Sequence, residues 1–317
     1  MRRLLFALAG SLLALGPVAA QTYPNRPITM IVPFAAGGAS DVIARLVAEE
    51  MGKHLGQRII AENIGGAGGA IALTRAAAAV PDGYTIIVGN SGTNAAGYAT
   101  HENFRVTPDA FSGIGLVART ASVIAVKRDL PQQNLCDLVA FGRANPGRLT
   151  FGHAGVGSSN YLICRLLMAA TGIELTLVSY RGANPAKQDL IAGSIDGVCD
   201  NATSVSPQIT SNEVRGLVVS AAERVPQMPD VPTNSEAGFP TFQASGWNAV
   251  FVPSATPQPI KARLLEALRV AMASDFIKRR FNELVTTIPS LEEQTPAFVD
   301  ALVEREVTRF RELLRRN

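Results

Sequence analysis

Short apolar runs rich in β-branched residues alternate along this chain with stretches of helical period, and glycine- or serine-rich loops stand between them. That alternation restricts the fold to an α/β architecture with largely parallel sheets. Ile28 to Phe34 reads as a buried strand, Gly37-Gly38-Ala39-Ser40-Asp41 as a turn, and Val42 to Leu55 as a helix. In that helix Ile43, Leu46, Val47, Met51 and Leu55 face inward, Arg45, Glu49, Glu50 and Lys53 face outward, and Ser40 or Asp41 supplies the N-cap. Strands at Gln57–Ala61 and Tyr84–Gly89 flank a glycine-rich loop, 65–69, and an alanine-rich helix ending near Val80. From Ile114 the pattern restarts, with strands at Val123–Val126, Leu149–Gly152, Leu175–Tyr180, Gly197–Asp200 and Gly216–Ala221. Helices fall at Leu135–Ala144, Asn160–Thr171 and Lys187–Ala192. A proline-rich stretch after Pro226 leads into a helical end, Ile260–Ala273 and then an amphipathic stretch around Phe298, Leu302, Val307 and Phe310. Two strand–helix units with a helical tail predict two lobes, and a cleft between lobes is the default ligand site.

Composition narrows the function classes. At 317 residues and 47% hydrophobic, the chain is long enough for two domains and too apolar for disorder. Met1-Arg2-Arg3, the apolar run Leu4 to Gly16 and the small residues Val18-Ala19-Ala20 before Gln21 predict a signal peptide over residues 1–20, with a run too short for a lasting anchor. Loss of Arg2 and Arg3 takes the net charge from +3 to +1, which is no footprint for nucleic acid. The mature chain is expected to be soluble and exported. Of Cys136, Cys164 and Cys199, buried free thiols are the default expectation and a Cys164–Cys199 bridge is the alternative.

Three strand ends feed loops that open helices: Gly37 to Asp41, Asn90 to Asn94, and Gly155 to Asn160. Ligands of open parallel sheets bind at such ends, where helix N–H groups favour anions. Glycines at 37, 38, 155 and 157 let the backbone approach a small oxyanion, and Ser40, Ser91, Thr93, Ser158 and Ser159 add neutral donors. The chemistry on offer is recognition of a carboxylate by hydrogen bonds. Walker and dinucleotide fingerprints are both missed, since Asn160 stands where a third glycine would be needed. A hydrolase built on Ser158 or Ser91 with His153 is the rival reading, but no G-x-S-x-G elbow supports it. His54, His101 and His153 have no metal-ligand spacing, so neither a metal nor a cofactor is expected.

At these loops the sequence resembles the receptors of tripartite tricarboxylate transporters, also called the Bug family. The resemblance rests on Tyr23-Pro24-Asn25-Arg26-Pro27-Ile28, Ile31 to Asp41, Glu62-Asn63 with Gly66-Ala67-Gly68-Gly69, and Pro81-Asp82-Gly83-Tyr84-Thr85. Asn145-Pro146-Gly147, Gly155 to Ser159, Tyr180-Arg181-Gly182, Val231-Pro232-Thr233 with Glu236-Ala237-Gly238, and Trp247 extend it over nearly the whole mature chain. It implies a two-lobed periplasmic binding protein, type II-like with two crossovers, made of residues 21–122 plus 222–317 as one lobe and 123–221 as the other. It implies capture of a di- or tricarboxylate, acidic amino acid or aromatic acid by lobe closure, with no catalysis, and delivery to two membrane subunits or to a sensor kinase. Carried over by residue, Phe34, Ala35, Gly37, Gly38, Ser40, Asp41, Asn90 and Ser91 would face the ligand from the first lobe. His153, Gly157, Ser158, Ser159, Tyr180, Arg181 and Asp200 would meet it from the second, with Arg181 the one positive group expected there. Departures from the family pattern are Asn160 where His is usual, Ser179 and Arg181 around Tyr180, and the segment His101-Glu102-Asn103-Phe104.

Overall fold

The computed structural model describes residues 23–100 and 105–315. The expected signal peptide at 1–20 and His101 lie outside them. In chain order the elements are β1 (Ile28–Val32), α1 (Ala39–Leu55), β2 (Ile59–Asn63), α2 (Ala70–Ala77), β3 (Thr85–Asn90), α3 (Gly97–Thr100) and β4 (Phe111–Lys127). Then come α4 (Leu135–Ala144), β5 (Thr150–His153), α5 (Ser159–Thr171), β6 (Thr176–Ser179), α6 (Ala183–Ile191), β7 (Gly197–Asn201), α7 (Ala202–Thr210) and β8 (Val214–Ser220). The chain closes with β9 (Ser245–Pro253), α8 (Gln258–Ala273), α9 (Asp275–Glu283), β10 (Thr286–Thr287) and α10 (Pro296–Arg315).

Everything is organised around β4. Its 17 residues reach about 55 Å at the usual strand rise, enough to serve two half-sheets. The half from Phe111 to Ala121 runs antiparallel to β9, which pairs with β3, and the order continues through β1 to β2. The half from Ser122 to Lys127 pairs antiparallel with β7 on one side and β8 on the other, and β5 and β6 extend it beyond β7. Both half-sheets are therefore mixed rather than largely parallel: β9 runs against β3 and β4 in the first, and β4 runs against β7 and β8 in the second. The chain crosses to the second half within β4 and returns before β9.

Helices cover both faces of each half. Ile43, Val47 and Met51 of α1 recur every fourth residue and pack with Leu264 and Leu268 of α8 under β1 and β3. On the opposite face, α2 and α10 bury Leu73, Leu302 and Phe310. In the second half, α4 and α5 enclose Leu138, Phe151 and Leu167, while α6 and α7 cover the other side with Leu190 and Val205. Residues 222–244, which the sequence reading assigned to the first lobe, bury Val225, Met228, Val231, Phe242 and Ala244 in these second-half cores. Those apolar side chains hold the returning chain against the second half up to the start of β9 at Ser245. Among the described residues no helix is long and apolar enough to cross a membrane.

The cysteines depart from the default expectation. Cys164 of α5 and Cys199 of β7 form a disulfide, since packing of that helix on that strand brings their Cα atoms to 5.4 Å. Cys136 is a free thiol and is exposed, on the outer side of α4.

Candidate ligand-binding site

Four helices of at least two turns aim their N-termini at one enclosed space between the half-sheets. Its walls are Phe34, Gly38, Ala39, Ser40 and Asn90 from the first half, and Ala154, Ser159, Asn160, Ala183, Asp200 and Asn201 from the second. Gly38 to Ser40 open α1, Ser159 and Asn160 open α5, Ala183 opens α6, and Asn201 caps α7. First-turn N–H groups have no carbonyl partner in their own helix, and each helix adds roughly half a positive charge at that end. The gap left between the walls is about 10 Å³. The walls have thus closed to the size of one water.

The first wall is organised around a serine. Asn90 Oδ1 accepts the N–H groups of Gly92 and Thr93, both at 2.9 Å, which fixes its amide so that Nδ2 donates to Ser40 Oγ at 2.9 Å. Asn248 lies opposite Asn90 in the β3–β9 register, and its Nδ2 donates to the same oxygen at 2.9 Å. Both lone pairs of Ser40 are then occupied, which leaves its O–H free to donate into the cavity. Ser40→Ala would strand two buried amide donors, so it should cost about 1–3 kcal/mol of stability. Urea unfolding reads this as a lower midpoint with an unchanged slope.

The second wall is built on β7. Asn160 Nδ2 donates to the Cys199 carbonyl at 2.9 Å and to Asp200 Oδ1 at 2.7 Å, and the Asn201 N–H donates to the same oxygen at 2.8 Å. Asn201 Oδ1 accepts from Thr120 of β4 at 2.9 Å, which ties this wall to the crossing strand. Burial pushes the Asp200 carboxyl above the usual range, partly offset by the Ser204 hydroxyl first, then by the Asn201 and Asn160 donors and the field of Lys187.

Other residues singled out by sequence stand off the cavity. Asp41 is fully engaged: Oδ2 accepts the Gly37 N–H at 2.9 Å, Arg45 Nε bonds both oxygens, and Asn63 donates to Oδ1 at 2.8 Å. Burial alone would raise its pKa, but these partners outweigh burial and hold it below the ordinary carboxylate range. Asp41 therefore braces the loop by reaching back to Gly37, and Gly38 rather than Ser40 or Asp41 occupies the N-cap position. Ser91 is buried, with its N–H on the Trp247 carbonyl. Tyr180 donates its hydroxyl to Asp189 at 2.6 Å. The Arg181 side chain is exposed; its carbonyl instead accepts the Ala35 N–H from the other half at 3.3 Å. Gly37 and Gly157 take left-handed angles, φ +86° and +84°, that shape the two turns.

Ser158 caps α5 by accepting the Tyr161 N–H at 3.2 Å, and His153 Nδ1 accepts the Gly155 N–H at 3.1 Å. Neither engages the other, so the arrangement a serine hydrolase needs is not built here. Burial lowers the His153 pKa and favours the neutral ring. A folded-state pKa below the unfolded one contributes stability above the ordinary histidine value of about 6.5, lost as pH falls through that value toward the folded pKa. The melting temperature of the protein should therefore fall more steeply between about pH 7 and 5 than that of His153→Gln, as scanning calorimetry at a series of pH values will read.

Asn160, Asn201 and Asn248 join the site without having been singled out as contacts. Only the β3–β9 pairing could reveal Asn248, and Asn201 opens a helix of weak propensity, whereas Asn160 carried a local signal at the start of a helix legible in the sequence.

Known proteins fit this arrangement. The family model of the tripartite tricarboxylate transporter family receptor matches residues 43–310. The UPF0065 protein in the TAR-I ttuE-ttuC' intergenic region of Agrobacterium vitis is 40% identical over 93% of this chain and 86% of its own. BugT of Bordetella pertussis is 32% identical over 91% of this chain and 90% of its own. Among solved structures, the periplasmic binding protein BugD superposes with a TM-score of 0.89 at 34% identity, covering 93% of this chain and 98% of that one. MatC from Rhodopseudomonas palustris with bound malate gives 0.88 at 37% identity, covering 92% and 99%. The matched family is one of receptors, BugD is described as a periplasmic binding protein, and MatC is described with malate bound. With a family model matched over most of its length and a two-lobed binding-protein fold of the same topology, this chain belongs to the tripartite tricarboxylate transporter receptor family.

Proposed function

We propose that this protein is exported through residues 1–20, captures a small aliphatic carboxylate between its halves, and delivers it as a monomer to the membrane subunits of a tripartite transporter. The observation that carries this reading is the convergence of four helix N-termini and the Ser40 donor on one cavity. Such a site binds anions through fixed dipoles and needs no facing cation. An aliphatic diacid is the favoured class, since MatC is described with malate and another R. palustris relative, 30% identical, with adipate.

Residues 23–121 with 245–315 form one lobe in this reading, and 122–244 the other. They hinge within β4 near Ala121 and before Ser245. A diacid is larger than one water, so the lobes part to admit it and re-close around it with a wider gap than in the empty arrangement. Calorimetry on the mature chain from Gln21, refolded from denaturant and titrated with mono-, di- and tricarboxylates, acidic amino acids and aromatic acids, tests this. At least one diacid is expected to bind more tightly than millimolar; weaker binding for the whole panel would overturn the reading.

A further inference from the structure

The helix N–H groups and the Ser40 hydroxyl present donors to the cavity. Asp200 differs from them as an acid that lines the cavity and is only 2% exposed. A carboxylate offers about four acceptor positions. Two are taken at Oδ1, by Asn160 and Asn201, and the Ser204 hydroxyl, though near enough to act on the carboxyl, makes no hydrogen bond of full geometry. With Ser204 counted as a third neighbour, at least one of the four acceptor positions remains for a ligand donor.

The charge on Asp200 has a built counterpart. Lys187 of α6 is 6% exposed, and its Nζ donates to the Ser204 carbonyl at 2.8 Å. A buried ammonium needs an anion in its field, and Asp200 is the largest such influence on it, ahead of Glu213. The ammonium and the acid share the second half of the molecule, the acid on the ligand side, and Lys187 acts on it through its field.

We propose that Asp200 makes the site selective for carboxylates that also carry a hydrogen-bond donor, a hydroxyl or an ammonium group, an inference that rests on the carboxylate-receptor reading above. Closing the walls over an unsubstituted diacid would bring a second carboxylate toward Asp200 in a space with no room for screening water. A donor turned to the remaining acceptor position replaces that repulsion with a charge-assisted hydrogen bond. The helix N-termini hold the acid end, and Asp200 reads the substituent.

The test compares L-malate, succinate and fluorosuccinate by calorimetry on the mature protein and on Asp200→Asn. Malate differs from succinate by one hydroxyl, and fluorosuccinate fills nearly the same volume without a donor. The protein should prefer malate over both others by at least about 10-fold, the effect of leaving a buried acceptor unpaired. Asp200→Asn should narrow that ratio to about 3-fold or less, mainly through tighter succinate binding. Equal affinity for malate and fluorosuccinate in the unmutated protein overturns the proposal without any variant, so it stays falsifiable if Asp200→Asn does not fold. Diacid binding with the same ratio in both proteins overturns it too, while leaving the receptor reading standing. Failure of every acid in the broader panel to bind the unmutated protein would overturn both.

Discussion

Replacing Gly92 by alanine should hold the lobes apart and weaken ligand binding about 100-fold while leaving each lobe folded. A methyl group built at Gly92 would stand 2.2 Å from the Ser159 nitrogen and 2.6 Å from the Ser158 carbonyl carbon. Both are backbone atoms at the start of α5, on the opposite lobe, and no rotamer change moves them. Gly92 itself lies in a right-handed turn that alanine adopts without strain, so the clash arises only on closure. Overpacking costs about 1–3 kcal/mol, the upper end applying where the clash is with backbone, and a closed state made less favourable by that amount takes the affinity with it. Calorimetry gives the loss, and small-angle scattering with saturating diacid should find a larger radius of gyration than for the unmutated protein. Gly38→Ala is the control. Its methyl group would meet Ala183 Cβ at 3.6 Å, an ordinary contact, so closure should survive. Unchanged affinity in Gly92→Ala would mean that the closed arrangement is not the binding state.

Removing the Cys164–Cys199 bridge should cost about 4 kcal/mol of unfolding free energy. The bridge closes a loop of sequence separation 35, and the loop-entropy relation gives that value for this length. Cys164→Ala with Cys199→Ala avoids leaving buried thiols, and denaturant unfolding of the two proteins provides the comparison. The effect should reach the site as well. The Cys199 carbonyl accepts from Asn160, and Asp200 follows directly on β7, so the bridge steadies the two elements that form the second wall. A loss below about 1 kcal/mol would show that packing of α5 on β7 already restricts the unfolded chain as much as the bridge does.

What the sequence disclosed depended on whether local chemistry decided the outcome. α4 falls at 135–144 as read, because Asn134 caps it by accepting the Asp137 N–H and Asn145-Pro146-Gly147 ends it. β9 went unread. From Gly246 onward it is buried on both faces, so the strand shows no alternation, and it follows a proline-rich stretch. α7 was also missed, since a run of Ala, Thr, Ser and Val with Pro207 inside it has weak helix propensity, and its burial against the second core overrides that. The bridge between Cys164 and Cys199 depends on how α5 packs on β7, which spacing alone does not give.

The site follows the same division. Phe34, Gly38, Ser40, Asn90, Ser159 and Asp200 stand at strand ends and helix starts, where sequence points directly, and the structure brings them together. Asp41 and Tyr180 were read from the same loops, but each is engaged by partners distant in sequence, Asn63 for Asp41 and Asp189 for Tyr180. Asn248 reaches Ser40 only through the antiparallel pairing of β9 with β3. Arg181 illustrates the limit from the other side. A cation beside a glycine reads as an anion contact, yet its side chain is exposed and its backbone carbonyl joins the lobes.

The central claim is that helix N-termini from both lobes hold the acid. Amide chemical shifts of the deuterated, ¹⁵N-labelled mature protein, followed during titration with a diacid that binds, test it most directly. The largest changes should fall on Ala39 and Ser40, Ser159 and Asn160, Ala183, and Asn201 and Ala202, together and at one stoichiometry. Saturable binding with those amides unmoved, or with the changes confined to one lobe, would contradict it.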